Sequence, residues 1–186
     1  MLRPNKGQID AEILDRAAAL FARHDFANTS LQQIADAVGY SKAGLLHHFP
    51  SKKAIYEAAI DLLAEHIDKL FAKVSDIPPG PLRDLAVVED SVDFAFSKPG
   101  ISALGNRIAA CALPDNERLQ AIGLKLYECL GMDMTALETD RLVRVTSAFS
   151  GLGITASIAV QTGLTSEWRV AIVAAALDAL GHGNKN

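Results

Sequence analysis

The sequence predicts an all-α chain, and three observations carry that prediction. Apolar residues recur every three or four positions through most of its 186 residues. No segment alternates strictly between apolar and polar, as a half-buried strand would. Ser, Thr, Gly and Pro fall between the periodic runs, where helices start and stop. The elements follow in order. Ile9, Ile13, Ala17, Leu20 and Phe21 share one face of a first helix, with Asp15, Arg16 and Arg23 opposite; the helix is expected to end near His24. Ser30 and Gln33 form an S-x-x-Q capping box that opens a second helix over residues 31–38. Gly39, able to turn left-handed, closes it. Ser41 caps a short third helix over residues 42–48, which Pro50 ends. Ser51 then caps a long helix with Ile55, Ala59, Leu62, Leu63, Ile67, Leu70, Phe71 and Val74 inward. Beyond it, Pro78 to Pro81, Lys98 to Gly100, Leu113 to Asp115, Gly131 to Asp133 and Thr162-Gly163 divide the remainder into helices of 12 to 25 residues.

Composition excludes several classes. Hydrophobic residues make up 49% and charged residues 22%, which is core-forming rather than disordered. The two cysteines, Cys111 and Cys129, have no metal-ligand spacing and make no disulfide framework. They suit a reducing compartment, with inert burial the ordinary reading and thiol-based redox sensing the less common one. The first residues contain no apolar run of the secretory type, so a cytoplasmic protein is expected. Residues 145–166 lack any charge and are long enough to span a bilayer. Nine of those 22 are Ser, Thr or Gln, and three are Gly, so a buried helix is expected there and no membrane association. Among the histidines, His47 and His48 are adjacent and point about 100° apart on a helix; no metal site and no cofactor is expected. There is no nucleophile elbow, phosphate loop or dinucleotide fingerprint, and hence no catalytic residue to name.

Charge is uneven along the chain. Residues 1–56 carry seven basic and five acidic side chains, whereas residues 57–186 carry 11 and 17. A mildly basic head on an acidic body fits a protein that meets a polyanion at one end. The head also holds two short helices joined by a Gly-containing turn, with a third helix before them: a helix-turn-helix arrangement. In such a unit the second helix braces the nucleic-acid backbone and the third offers its side chains to base edges in the major groove. Ser41, Lys42, His47, His48, Lys52 and Lys53 supply donors around the third helix, and the small Ala43 and Gly44 allow close approach.

The run ILDRAAALFARH (residues 13–24), then TSLQQIADAVG (residues 29–39), then Ser41-Lys42 and HFPSK (residues 48–52) closely resemble the tetracycline-repressor (TetR/AcrR) family, in register and without insertion over about residues 9–60. The resemblance implies a homeodomain-like, three-helix DNA-binding domain (residues 1–52) and a helical ligand-binding and dimerisation domain (residues 53–186). It implies a regulator, a repressor rather than an activator, that binds double-stranded operator DNA as a homodimer and leaves it on binding a small effector. A small-molecule-binding or scaffolding protein that has lost operator binding is the alternative. Carried over by position, it gives Thr29 and Ser30 backbone-phosphate roles, Lys42, Ala43 and Gly44 the base-facing surface, and His47, His48 and Lys52 phosphate contacts. Four positions depart from the family. Asp25 stands where Gly is usual, so that turn is made without a freely left-handed residue. Gly44 replaces a common hydroxyl residue, and Leu46-His47 a Tyr-Tyr pair. These changes strip donors from the reading face and shift weight to DNA shape and to an arm carrying Arg3 and Lys6.

Two further expectations concern the second domain. Residues 142–181 hold only Arg144, Glu167, Arg169 and Asp178 as charges. Trp168, Ile172, Ala175 and Ala179 form one apolar stripe there, and Val170, Val173, Leu177 and Leu180 another. A helix apolar on two faces predicts a second neighbour, supplied by a partner subunit along the first stripe. His66 falls in the inward stripe of the long helix, where its ring must find a hydrogen-bond partner or a ligand. Together with Phe94, Asn106, Cys111, Tyr127 and Phe149, it predicts a pocket for a largely hydrophobic molecule.

Overall fold

The computed structural model describes residues 5–110, 117–136 and 138–183. Nine helices and no strand are found among them: α1 (Lys6–Asn28), α2 (Leu31–Val38), α3 (Lys42–His48), α4 (Lys52–Val74), α5 (Pro81–Ser97), α6 (Pro99–Ala110), α7 (Glu117–Cys129), α8 (Thr139–Thr162) and α9 (Thr165–Leu180). The breaks expected at residues 78–81, 98–100, 131–133 and 162–163 separate these helices. The break at Leu113 to Asp115 lies outside the described residues, as do Arg3 and Cys111.

Local chemistry sets the ends. Ser30 Oγ accepts from the Gln33 amide at 3.2 Å while Gln33 Oε1 accepts from the Ser30 amide at 2.7 Å, completing the capping box at α2. Gly39 turns left-handed at φ 71°, and the Tyr40 amide bonds the Ala35 carbonyl at 2.9 Å. Ser41 and Ser51 accept from the Gly44 and Ala54 amides at 3.0 and 3.1 Å and start α3 and α4. Helix α1 begins earlier than its apolar periodicity suggests. Asn5 and Gln8 exchange amide bonds of 2.9 Å in a second capping box, an N-x-x-Q signal present in the sequence. It also continues past His24, with a kink at Asp25 (φ 69°, ψ 161°) rather than a stop.

A continuous apolar core runs through both halves of the chain. Ile13, Ala17, Phe21, Ile34 and Leu45 close the three-helix unit at no more than 1% exposure. The first turns of α4 join them, Tyr56 lying edge-on to Phe21 with ring centres 5.2 Å apart. Helix α4 then crosses into the second half, where α8 and α9 pack side by side against α5. Helix α8 is long and apolar enough to cross a membrane, but its inner face (Val145, Ala148, Leu152, Ala156, Ala159) is buried in this core. Helix α6 lies along α1, so the two halves share a wall.

Candidate DNA interface and effector pocket

Leu45, fully buried, anchors α3 and leaves an outward arc of Lys42, Ala43, Leu46 and His47, all exposed. Ser30 and Ser41 are exposed beside it, at the starts of α2 and α3. Gly44 is not part of this arc. A Cβ there would head toward the Tyr40 ring and Ser41 Oγ, each 3.3 Å away, so Gly44 lets α3 close on its own turn rather than on DNA. Leu46 takes its place near the middle of the arc, and a 100° helical wheel would have found it.

Three residues expected at phosphates make side-chain hydrogen bonds within the protein. Thr29 is 2% exposed and its hydroxyl donates to the Asp25 carbonyl at 2.7 Å. His48 Nδ1 lies 2.6 Å from Asp10 Oδ1, with its ring edge-on to Tyr40. Lys52 Nζ donates to the Phe26 and Thr29 carbonyls at 2.6 and 2.7 Å, 4.3 Å over the Phe26 ring. The partners are carbonyls at the end of α1 and an acid on α1 distant in sequence, which periodicity does not reveal. At 2% exposure the Thr29 side chain is turned away from any phosphate, which corrects that expectation; with His48 and Lys52 it ties α1, α3 and α4 into one unit.

Behind this unit, a narrow cavity of about 60 Å³ opens between α4, α5, α6, α7 and α8. His66, Phe94, Asn106 and Phe149 line it together, with apolar walls such as Leu63 and Ile122. Tyr127 packs against the core outside this lining. His66 stacks on Phe94 with ring centres 3.6 Å apart and planes 7° from parallel. Its Nε2 is 3.3 Å from Asp90 Oδ2, in poor hydrogen-bond alignment: that buried oxygen has no hydrogen bond, whereas Oδ1 accepts from Lys73 at 3.1 Å. Burial pushes the His66 pKa below the ordinary histidine value, against the pull of Asp90, so the ring is neutral at pH 7. Cys129 is buried, and desolvation pushes its thiol pKa up to about 11, which makes it a poor redox sensor.

Helix α6 connects pocket and DNA-facing unit. Its Ser102, Gly105 and Asn106 face the cavity. At its start, the Gly100 and Ile101 amides donate to Asp15 Oδ1 of α1 at 2.9 and 3.0 Å. Only glycine fits at position 100, because a Cβ would lie 1.8 Å from the Asp15 carbonyl oxygen. Further along, Arg107 donates to the Ala22 carbonyl at 3.2 Å and pairs with the Asp25 carboxylate.

Exposed apolar and small side chains remain on both last helices: Ile154 (64%) and Ile158 (41%) with Ser147 and Gly151 on α8, and Ala171 and Ala175 on α9. This corrects the expected partner-facing stripe. Ile172 is 5% exposed, and Trp168 and Ala179 are half-buried; all three line the cleft between α8 and α9, and of the four only Ala175 is exposed. Helix α8 fills the place assigned to a partner.

Fold and site together define a helix-turn-helix protein. A family model described as "Bacterial regulatory proteins, tetR family" matches residues 13–59. The chain is similar to the HTH-type transcriptional repressor KstR2 of Rhodococcus jostii, 35% identical over 85 residues, covering 46% of this chain and 40% of that one. It is also similar to the nucleoid occlusion factor SlmA of Alteromonas mediterranea, 27% identical over 72% of this chain and 68% of that protein. Among solved structures, a TetR-family transcriptional regulator from Bordetella parapertussis aligns with a TM-score of 0.58 at 26% identity, over 91% of this chain and 94% of that one. Residues 13–59 thus match the tetR family of bacterial regulatory proteins, and the fold of the chain is similar to that of a TetR-family regulator.

Proposed function

We propose that the chain is a cytoplasmic, homodimeric transcriptional repressor, released from its operator by a small, largely hydrophobic effector. In this reading residues 1–52 bind DNA and residues 53–186 bind the effector and the second subunit. The observation that carries it is the outward arc of α3, basic and apolar, without an acid and held rigidly by Leu45, His48 and Lys52. Lys42, Ala43 and His47 meet the major groove, and Ser30 and Ser41 meet flanking phosphates. A second subunit docks on the exposed apolar face of α8 and α9, which sets two copies of α3 about 34–36 Å apart, one turn of DNA. Ala175→Arg places a charge on that face, and sedimentation should then show monomers that no longer bind operator.

The effector occupies the cavity beside His66 and Phe94. At about 60 Å³ the cavity holds a few waters, well below the ~300 Å³ at the lower end of ligand sites. An effector therefore widens it, and α6 is the wall that reaches α1. Displacing α6 pulls on the Asp15 and Arg107 contacts, so work done in the cavity is delivered to the DNA-facing unit. A hundredfold loss of operator affinity requires a coupling free energy of about 2.7 kcal/mol. The test is selection of bound fragments from the source genome, followed by gel shift at two salt concentrations, with and without aromatic and acyl compounds. A repressor keeps one specific duplex at salt that strips the rest. If no duplex survives preferentially, the chain is a small-molecule-binding or scaffolding protein instead.

A further inference from the structure

We infer that Leu46, with Ala43 beside it, reads thymine 5-methyl groups, so that the operator half-site carries a thymine at the base pair facing Leu46. The inference rests on the DNA-binding reading above. Hydrogen-bonded reading of bases relies chiefly on Arg or Lys to guanine and Asn or Gln to adenine. Between Tyr40 and Phe49 only Lys42, at the edge of the arc, is of these types, and no Arg, Asn or Gln occurs there. The exposed arc instead has Lys42 and His47 at its margins and two apolar side chains, Ala43 and Leu46, between them. Leu46 is 38% exposed on a helix whose other leucine is fully buried. Gly44 faces back to Tyr40, and Ser41 Oγ already accepts from the Gly44 amide. An apolar centre on a reading surface distinguishes bases by the one apolar group the major groove displays, the methyl of thymine.

The experiment begins with selection of duplexes from a pool with a randomised centre, using the full chain. In the enriched duplex each thymine is then replaced in turn by deoxyuridine, which removes only the methyl. Burying one such group is worth about 0.8 kcal/mol, or about fourfold in affinity. Fluorescence anisotropy should show about fourfold weaker binding by the wild-type chain at one thymine per half-site. Leu46→Ala should bind the thymine and uracil duplexes equally well. Leu46 is on the surface, so the variant should melt like the wild type, and the comparison of two duplexes on one protein is independent of its folded fraction. An enriched duplex whose uracil substitutions leave the wild type unaffected, or affect Leu46→Ala equally, overturns the assignment while leaving DNA binding intact. A pool without enrichment overturns the DNA-binding reading and this inference with it.

Discussion

Asp25 offers a sharp test of how the DNA-facing unit is built. Its backbone (φ 69°, ψ 161°) lies in a region that is essentially glycine's, and it is the only non-glycine residue with positive φ among those described. Holding a side-chain-bearing residue there costs about 1–3 kcal/mol. The Thr29 hydroxyl on the Asp25 carbonyl and the Arg107 guanidinium on its carboxylate keep it in place. Replacing Asp25 by Gly and by Ala removes the same carboxylate and the same ion pair, so the difference between the two variants isolates the backbone. In an ordinary helical position Ala would be the more stable by about 1 kcal/mol. At this φ the order reverses. Relief of about 1–3 kcal/mol, less roughly 0.5–1 kcal/mol for the greater freedom of unfolded glycine, leaves Asp25→Gly ahead by about 0.5–2 kcal/mol. For a chain of this size that is about 1–8 °C in melting temperature, and urea midpoints should follow at unchanged slope. If Asp25→Ala equals or exceeds Asp25→Gly, the kink is not strained and the account of this corner is wrong.

Asp15→Ala leaves the first α6 amides without an acceptor and should cost about 1–2 kcal/mol in urea unfolding. Burial raises the Asp15 pKa above 3.8 more than its two amide bonds lower it, so the carboxyl favours folding most below the unfolded value and loses that contribution as pH rises through the folded one. Asp15→Asn, which keeps an acceptor and never ionises, should therefore gain on the wild type between pH 4 and pH 7. Lys52→Ala should lower stability by about 1 kcal/mol, because Nζ serves two carbonyls, and leave the salt dependence of DNA binding unchanged; a slope reduced by one would restore Lys52 to the phosphate contacts. Asp84 is fully buried and holds Arg141 at 2.7 Å and His182 at 2.6 Å, joining α5 to α8 and to the turn after α9. Asp84→Ala should cost about 3 kcal/mol or more in thermal or chemical denaturation.

What the sequence revealed and what it hid follow from how local each determinant is. Caps, breaks and apolar stripes are settled within four residues, so the boundaries of α2, α3 and α4 and the gathering of His66, Phe94, Asn106 and Phe149 around one cavity were legible. Roles that depend on a distant partner were not. Lys52 reads as a free cation until the end of α1 presents two carbonyls to it, and His48 as a phosphate donor until Asp10, 38 residues earlier, is found 2.6 Å away. The same holds for Ile172, whose stripe looks ready for a partner subunit until α8 covers it. The departures from the family pattern prove to be connected. Asp25 takes a backbone conformation suited to glycine, and its carboxylate meets Arg107, on a helix that also walls the cavity. A glycine there would relax the corner and sever that link, so the strained residue trades local stability for a contact between the two halves of the chain. Leu46 follows similar logic: with Gly44 turned toward Tyr40, the reading face has lost forked hydrogen bonding and kept shape and apolar contact. Specificity of that kind is modest per base pair, so the second copy of α3 that the proposed dimer supplies would be part of the recognition itself.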